Sequence, residues 1–314
     1  RTPSYSGYQL LDLHDYLGQG GALIGVLDAF WEDKGYVTPA EFKRFNNTTV
    51  PLIRLKDRIF TTGQTLTASA EVVNYGPAAL KSITPAWRIL NSSGKSVMNG
   101  NLATTDIARG SGQVLGTITA ALSSLPAPAA YSVVLELGDF SNYWNFWLFP
   151  EGMKNDIPSD VLVSSSWDEA KARLAQGGKV LFLSGIPENA TRNLTLTSSP
   201  IFWNSLMNPN KTWMLGLLNQ SKHAALNGFP SEDHCDWQWT NMFPRTIAMN
   251  MEALAPTVQS IVQPIDDWNR NLRLSMLFEC QVGNGKLMVT SFDLSDKAMD
   301  RTAAAGLRKS VLDY

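Results

Sequence analysis

The hydrophobic period of this chain changes twice, and those two changes limit its fold more than any single motif does. Up to about Val50 apolar residues recur at helical spacing. From about Pro51 to Pro150 they alternate, and beyond Pro150 short apolar runs are interrupted by a helical stretch. A helix buries a stripe of period about 3.6 and a strand buries one face of period two, so one uniform architecture cannot accommodate all three stretches. At 314 residues, against roughly 150 for an ordinary domain, the chain has room for two or three. The expectation is a multidomain α and β protein divided at residues 1–50, 51–150 and 151–314.

In the first part, Tyr8 to Leu13 reads as a buried strand, the polar and Gly-rich run His14 to Gly21 as a loop, and Ala22 to Trp31 as a helix with Leu23, Val26, Leu27 and Phe30 on one face. Thr38-Pro39-Ala40-Glu41 marks a second helix start, in which Thr38 caps, Pro39 suits the first turn and Glu41 closes a capping box. A lone strand-loop-helix unit cannot cover its own apolar faces, so it requires a partner surface.

The second part alternates Leu66, Ala68, Ala70 and Val72 with Thr67, Ser69 and Glu71 up to the turn Asn74-Tyr75-Gly76. Similar runs recur at Trp87 to Leu90, Gln113 to Thr119, Tyr131 to Leu137 and Tyr143 to Phe149. About seven short strands in such a length point to an immunoglobulin-like β-sandwich. In the third part, Asp160 to Val163 and Lys179 to Leu183 read as strands around a helix capped by Ser166-Trp167-Asp168-Glu169 and ended by Gly177-Gly178. That is βαβ grammar. A hairpin turning at Gly283-Asn284-Gly285 and a closing helix from Ala298 to Leu312 complete a three-layer α/β domain of flavodoxin- or amidotransferase-like kind with an antiparallel edge.

Composition removes several function classes. The formal charge of −2 is spread along the chain without a basic stripe, which argues against nucleic acid as a partner. No apolar run approaches the roughly 18 residues of a bilayer crossing. Cys235 and Cys280 have no metal-ligand spacing and read as small buried thiols, with a disulfide between them as the alternative. No metal and no cofactor is expected. Arg1 is neither an initiator Met nor the start of a signal segment, so an upstream stretch is expected to have been removed.

The candidate chemistry sits in three places. His14, Asp15 and Gln19 lie on a Gly-rich loop after an expected strand, where α/β folds place ligand sites, although its glycines match neither the dinucleotide nor the P-loop fingerprint. Trp237 and Trp239 flank Gln238; alternate positions of a strand would put both rings on one face, as a binding edge or against a core. Asp266-Asp267-Trp268-Asn269 clusters oxygen ligands as a calcium site would, or forms a plain turn. Neither cysteine has the small-residue elbow that presents a nucleophile. The triplets at Asn46, Asn91, Asn189, Asn193 and Asn210 matter only in a glycosylating pathway.

Gly7 to Tyr16 with Gly18-Gln19-Gly20, then Leu27-Asp28-Ala29-Phe30-Trp31 and Lys34-Gly35-Tyr36, resembles the last barrel strand and following helix of family 2 glycoside hydrolases of β-galactosidase-like type. The likeness continues at Val73-Asn74-Tyr75-Gly76, Phe202-Trp203-Asn204, Gly228-Phe229-Pro230, Asp236 to Trp239 and Ile265 to Asn269. The resemblance implies a TIM-barrel remnant at 1–50, a bacterial and periplasmic or extracellular setting, and a retaining parent enzyme acting on β-glycosidic bonds. Retention needs two carboxyl groups about 5 to 5.5 Å apart. By resemblance those are glutamates on barrel strands upstream of this chain, so no catalytic residue is assigned.

The implied partners are carbohydrate, contacted by His14, Asp15, Gln19, Trp237 and Trp239, and the missing upstream catalytic barrel. A second copy of the chain is the alternative cover for residues 1–50. The chain is therefore expected to be the non-catalytic C-terminal part of a glycoside hydrolase; the alternative is an autonomous carbohydrate-binding or subunit-interaction module.

Overall fold

A computed structural model describes residues 8–10, 12–16, 25–154, 156–184, 214–240, 242–243, 246–266 and 271–314. The chain gathers into two compact units. One holds the residues up to Asp57, Gln64–Leu122 and Tyr131–Phe146; the other holds Arg58–Gly63, Ser123–Ala130 and Trp147–Tyr314. Each is mostly β.

In chain order the first stretch runs α1 (Pro39–Phe45), β1 (Thr49–Leu55), β2 (Ile59–Thr61), β3 (Thr65–Asn74), β4 (Leu80–Ile83), β5 (Ala86–Asn91), β6 (Ser96–Asn101), β7 (Thr105–Ile107), β8 (Gly110–Ala121), β9 (Ala129–Leu137) and β10 (Phe140–Phe149). The first unit is built from an antiparallel sheet in the order β1-β3-β8, a second in the order β10-β9-β5-β6, and the short pair β4-β7. Alternation drives this arrangement. Leu66, Ala68, Ala70 and Val72 of β3 are buried while Thr65 and Thr67 face solvent, and Tyr131, Val133, Leu135 and Leu137 of β9 are buried in the same every-other pattern.

Asn74 closes the end of β3 without an unmet polar atom. Its Oδ1 accepts from Thr49 Oγ1 and from the Gly76 amide, both at 3.0 Å, and its Nδ2 donates to the carbonyls of Ala78 and Ala108. Such full satisfaction is what makes a buried amide tolerable. The helix start at Thr38 forms as the sequence predicts: Thr38 accepts from the Glu41 amide and Glu41 returns a bond to the Thr38 amide.

The second unit takes in β2, which pairs in parallel with Trp147, Leu148 and Phe149 at the end of β10. It continues with β11 (Val161–Ser164), α2 (Trp167–Ala175), β12 (Lys179–Leu183), β13 (Met214–Asn219), α3 (Trp237–Thr240), β14 (Met249–Asn250), β15 (Ser260–Asp266), β16 (Leu274–Ser275), β17 (Leu277–Val282), β18 (Gly285–Thr290) and α4 (Thr302–Leu312). Six strands form one mixed sheet in the order β11-β12-β18-β17-β15-β13. Its first three strands are parallel and the rest antiparallel.

Neighbouring residues of the central strands point to different cores, so both faces are covered. Val180, Leu287 and Val289 pack with Ala170 and Leu174 of α2. Leu181 and Met288 join the opposite core with Ala303, Ala304, Leu307 and Val311 of α4, and with Phe149, Phe229, Trp239 and Phe292. Strands covered on both faces are expected to be apolar through their centres, as Val180–Leu183 of β12 and Leu287–Val289 of β18 are.

Among the described residues, the strand expected at Tyr8 to Leu13 and the helix expected at Ala22 to Trp31 are not seen. Residues 8–10, 12 and 13 carry no strand, and residues 25–31 form a turn and bridges. Two backbone features mark these departures. Asp12 has φ 63° and Trp31 φ 69°, and the left-handed region interrupts both an extended strand and a right-handed helix. The strand and helix that a barrel remnant would supply are thus absent among the described residues of 1–50.

One glycine of α4 offers a test of how closely the second unit is packed. A Cβ on Gly306 would lie 2.4 Å from the ring of Phe149, which is fully buried. Gly306→Ala should therefore lower the unfolding free energy by about 1–3 kcal/mol, the usual cost of overpacking a filled core. Chemical denaturation would check it; an alanine variant as stable as the parent would show that the ring has room to yield.

Candidate functional site

The described residues of the stretch 12–38 have almost no ladder, and side chains hold much of their backbone. Asp15 is the centre of that arrangement. It is buried, accepts the Gly25 amide at 2.8 Å and receives the Lys34 ammonium on both carboxylate oxygens at 2.9 Å. Lys34 Nζ and the Tyr36 hydroxyl both donate to the Gly25 carbonyl, at 3.1 and 2.8 Å. Gly25 has to be glycine, because a Cβ there would sit 2.3 Å from the His14 carbonyl carbon. A short bridge completes the clasp: the Leu27 amide donates to Leu13 and the Asp15 amide to Leu27.

The clasp lies beside a tight turn that holds two aromatics out to solvent. Asp28 Oδ1 accepts the amides of Phe30 and Glu32, each at 2.8 Å, and the Asp28 carbonyl accepts the Trp31 amide at 3.1 Å. This local capture of backbone N–H groups competes with a helix and wins here. Phe30 is 79% exposed and Trp31 61% exposed. His14 backs the tryptophan, with ring centroids 4.4 Å apart and planes tilted by 37°. Its Nδ1 donates to the Asp15 carbonyl at 2.7 Å, which fixes the imidazole against the ring.

Two of the sequence candidates, His14 and Asp15, therefore come together, but in different roles. His14 supports an exposed indole, whereas Asp15 is internal and bonded throughout. Gln19 lies outside the described residues. Lys34, Gly25 and the Trp31 turn were not identified as site residues from the sequence; Asp28, whose side chain can close a turn on its own backbone, was the one available signal.

Trp237 and Trp239 do not share a face. They sit on α3, a single helical turn rather than a strand, so two positions apart places them on nearly opposite sides. Trp239 is fully buried, edge-on to Phe229 at 4.7 Å, with Nε1 donating to Ser231 Oγ. Trp237 is 54% exposed and carries the Arg58 guanidinium 5.4 Å from its ring centroid. Burial pulls the Arg58 pKa down, and the charge of Asp236 opposes that.

Among the described residues the remaining candidates bring no chemistry together. Asp266 is buried and its Oδ2 accepts the Leu272 amide at 3.0 Å, while Asp267, Trp268 and Asn269 lie outside the described residues. Among the described residues no group of three or more His, Cys, Asp or Glu is placed to hold a metal ion. Cys235 and Cys280 are free thiols. Burial, with a smaller contribution from Asp236, pushes the Cys235 thiol up to about 11, so it is protonated at neutral pH. No described helix is long and apolar enough to cross a membrane. Asn91 Oδ1 closes its own turn through Ser93 and Lys95; Asn189, Asn193 and Asn210 lie outside the described residues.

Comparisons with known proteins add little that is specific. Two family models match, both described as domains of unknown function: DUF8488 over residues 64–150 and DUF8487 over residues 162–314. No curated protein matches the chain. Among solved structures, a Pseudomonas fluorescens alkylpurine DNA glycosylase is 13% identical with a TM-score of 0.28, over 32% of this chain and 30% of that one. An E. coli alpha-2-macroglobulin is 14% identical with a TM-score of 0.27, over 37% and 7%. A beta-glucuronidase from glycoside hydrolase family 2 is 16% identical with a TM-score of 0.24, over 31% and 11%. The chain thus spans under a third of the length of each, and none of the three supports an argument about its function.

The clasp has a pH signature. The hydrogen bond from Lys34 holds the Asp15 carboxyl below the usual carboxylate range; partial burial opposes it and the Gly25 amide adds to it. A carboxyl depressed on folding contributes stability above its unfolded pKa of about 3.9, and that contribution is lost as pH falls through the lower folded value. The Gly25 amide should therefore be protected from hydrogen exchange at neutral pH and lose protection only in strong acid, and Asp15→Ala should expose it at every pH. Persistence of protection in Asp15→Ala would show that something else holds the loop. The two tryptophans give a separate contrast. Trp239→Ala should destabilise the protein by about 3–5 kcal/mol, as large core truncations do, while Trp237→Ala should fall within about 1 kcal/mol of the parent. Equal losses in thermal unfolding would contradict the placement of α3.

Proposed function

We propose that this chain is a non-catalytic, carbohydrate-associated part of a glycoside hydrolase resembling family 2, and that it meets sugar through the Trp31 turn. In this reading residues 1–50, 51–150 and 151–314 are successive parts of a larger retaining enzyme: a barrel-associated segment, an immunoglobulin-like sandwich and a flavodoxin- or amidotransferase-like domain. The catalytic glutamates belong to sequence upstream. The observation that carries the reading is Trp31 itself. A bulky residue with φ 69° is held in a conformation that costs on the order of 1–3 kcal/mol, and such outliers cluster at ligand sites. Here the strained backbone presents a flat indole, backed by the tilted His14 ring, and a flat aromatic face of this kind suits a sugar ring.

The exposed set Leu10, Leu13, Tyr16, Phe30 and Tyr36 favours a second reading, in which the same segment docks on a protein subunit. Binding measurements separate the two. Trp31→Ala should weaken binding of β-linked glycosides by at least about tenfold, since truncating an aromatic anchor commonly costs ~2 kcal/mol or more. Unchanged glycan affinity would move the weight to the docking reading. The purified chain should also release no 4-nitrophenol from aryl β-glycosides above background; turnover that scales with the purified chain would overturn the non-catalytic part of the proposal.

A further inference from the structure

The three-stranded sheet of the first unit, in the order β1-β3-β8, has two edges that are finished differently. Hydrogen bonds fix which way each backbone points. The Tyr75 amide, just past β3, donates to the Thr48 carbonyl, and the Leu122 amide, just past β8, donates to the Gln64 carbonyl. In an antiparallel ladder alternate residues bond to the partner strand, and those between turn their groups away. On β1 the residues turned away include Pro51, which has no N–H to offer, and the strand also carries the exposed, charged Arg54. Proline and charge close an edge against further strands. On β8 the residues turned away are Thr117, Thr119 and Ala121, all exposed, and their register with β3 is unbroken from Gly116 onward. The twelve residues of β8, Gly110–Ala121, include no proline and no charge, and among the described residues the strand pairs with β3 alone.

We propose that β8 pairs with β8 of a second copy of this chain, antiparallel, about a twofold axis at Thr119. This interface is separate from residues 1–50 and independent of the carbohydrate reading. The register follows from the backbone. With Thr119 opposite Thr119, each Thr117 faces an Ala121, so every residue turned outward meets another and about six N–H···O bonds close. Moving the axis to residue 118 sets Ala121 against Leu115, and moving it to residue 120 sets Thr117 against Ser123, which leaves an outward residue unmatched either way. The side chains match in the same register. Ile118 and Ala120 are buried and would face each other across the axis, prolonging the apolar inner row. On the solvent face Thr119 meets Thr119, a favourable cross-strand pair. A charge at the axis would meet its own sign, and β8 carries none. This self-complementarity on both faces, which a twofold contact requires, singles out a second copy as the occupant.

Analytical ultracentrifugation of the intact chain tests this. Its mass should rise with concentration from 34.5 kDa toward twice that value. Thr119→Pro removes an N–H that the sheet itself does not use, and should weaken association at least about tenfold because two of the new bonds form at the axis. Thr119→Lys sets like charges opposite each other and should do the same. Circular dichroism matching the parent would show both variants folded. Crosslinking reads the register, and decides the matter even where one of those variants loses its fold. The Cα atoms of a hydrogen-bonded antiparallel pair lie about 5.5 Å apart, within disulfide reach. Thr119→Cys should therefore give a disulfide-linked dimer under mild oxidation, whereas Thr117→Cys, and the parent with Cys235 and Cys280 alone, should not. A chain that stays monomeric at every concentration overturns the proposal, even if another protein binds the edge. Dimers that survive both Thr119→Pro and Thr119→Lys in folded protein place the interface elsewhere and overturn it. Crosslinking of Thr117→Cys in preference to Thr119→Cys overturns it as well.

Discussion

The candidate site depends on one carboxylate. A stretch of chain without a sheet ladder must be held by other bonds, and among the described residues of 12–38 Asp15 supplies one such hold by taking the Gly25 amide and the Lys34 ammonium together. Everything that faces solvent there follows from that clasp. It brings Gly25 against the backbone of His14, sets Leu27 beside Leu13 and leaves the five residues from Asp28 to Glu32 as a closed turn. The polar groups of this segment are turned inward while the rings of Phe30 and Trp31 face solvent. An internal ion pair of this kind is seldom a large source of stability, since desolvation offsets much of the attraction; its effect here is to select one conformation for a segment with little apolar burial.

Sequence reasoning succeeded where one local rule had no competitor. The capping box at Thr38, the alternation of β3 and the Ser166 cap of α2 each depend on residues within a few positions, and each appears where expected. It failed where two rules compete for the same residues. Leu23, Val26, Leu27 and Phe30 have helical spacing, but the Asp28 carboxylate captures two amides that a helix would need. The contest is decided by a residue far along the chain, because Gly25 is held by Asp15 and Asp15 by Lys34. For the tryptophans the error was one of period. Read as a strand, Trp237 and Trp239 share a face; on a helical turn they part, and only one remains available to a ligand.

The segment around those tryptophans has a structural explanation that does not involve ligand. Asn219 Nδ2 donates to Ser231 Oγ and to the carbonyls of Glu232 and His234, and Gln238 Nε2 donates to the Pro230 carbonyl. Two buried amides thus fasten the loop from beneath, with Trp239 as its hydrophobic anchor. The amide oxygens of Asn219 and Gln238 have no hydrogen-bond partner among the described residues, and a buried polar atom left so carries a cost. A run of residues can therefore be distinctive because it is difficult to fold and not because it meets a substrate.

The second unit is assembled from three separated lengths of chain, with Ile59, Ala130, Trp147 and Phe149 all packed in the core that α4 closes. Those four residues precede Pro150, where the hydrophobic pattern places the seam. A gene cut at that seam would encode a sheet stripped of one wall of its interior. Recombination can exchange domains freely only when each is a continuous piece, so this architecture obliges the two units to be inherited together. Their divergence over evolution should then be correlated, even if only one of them ever touches a ligand.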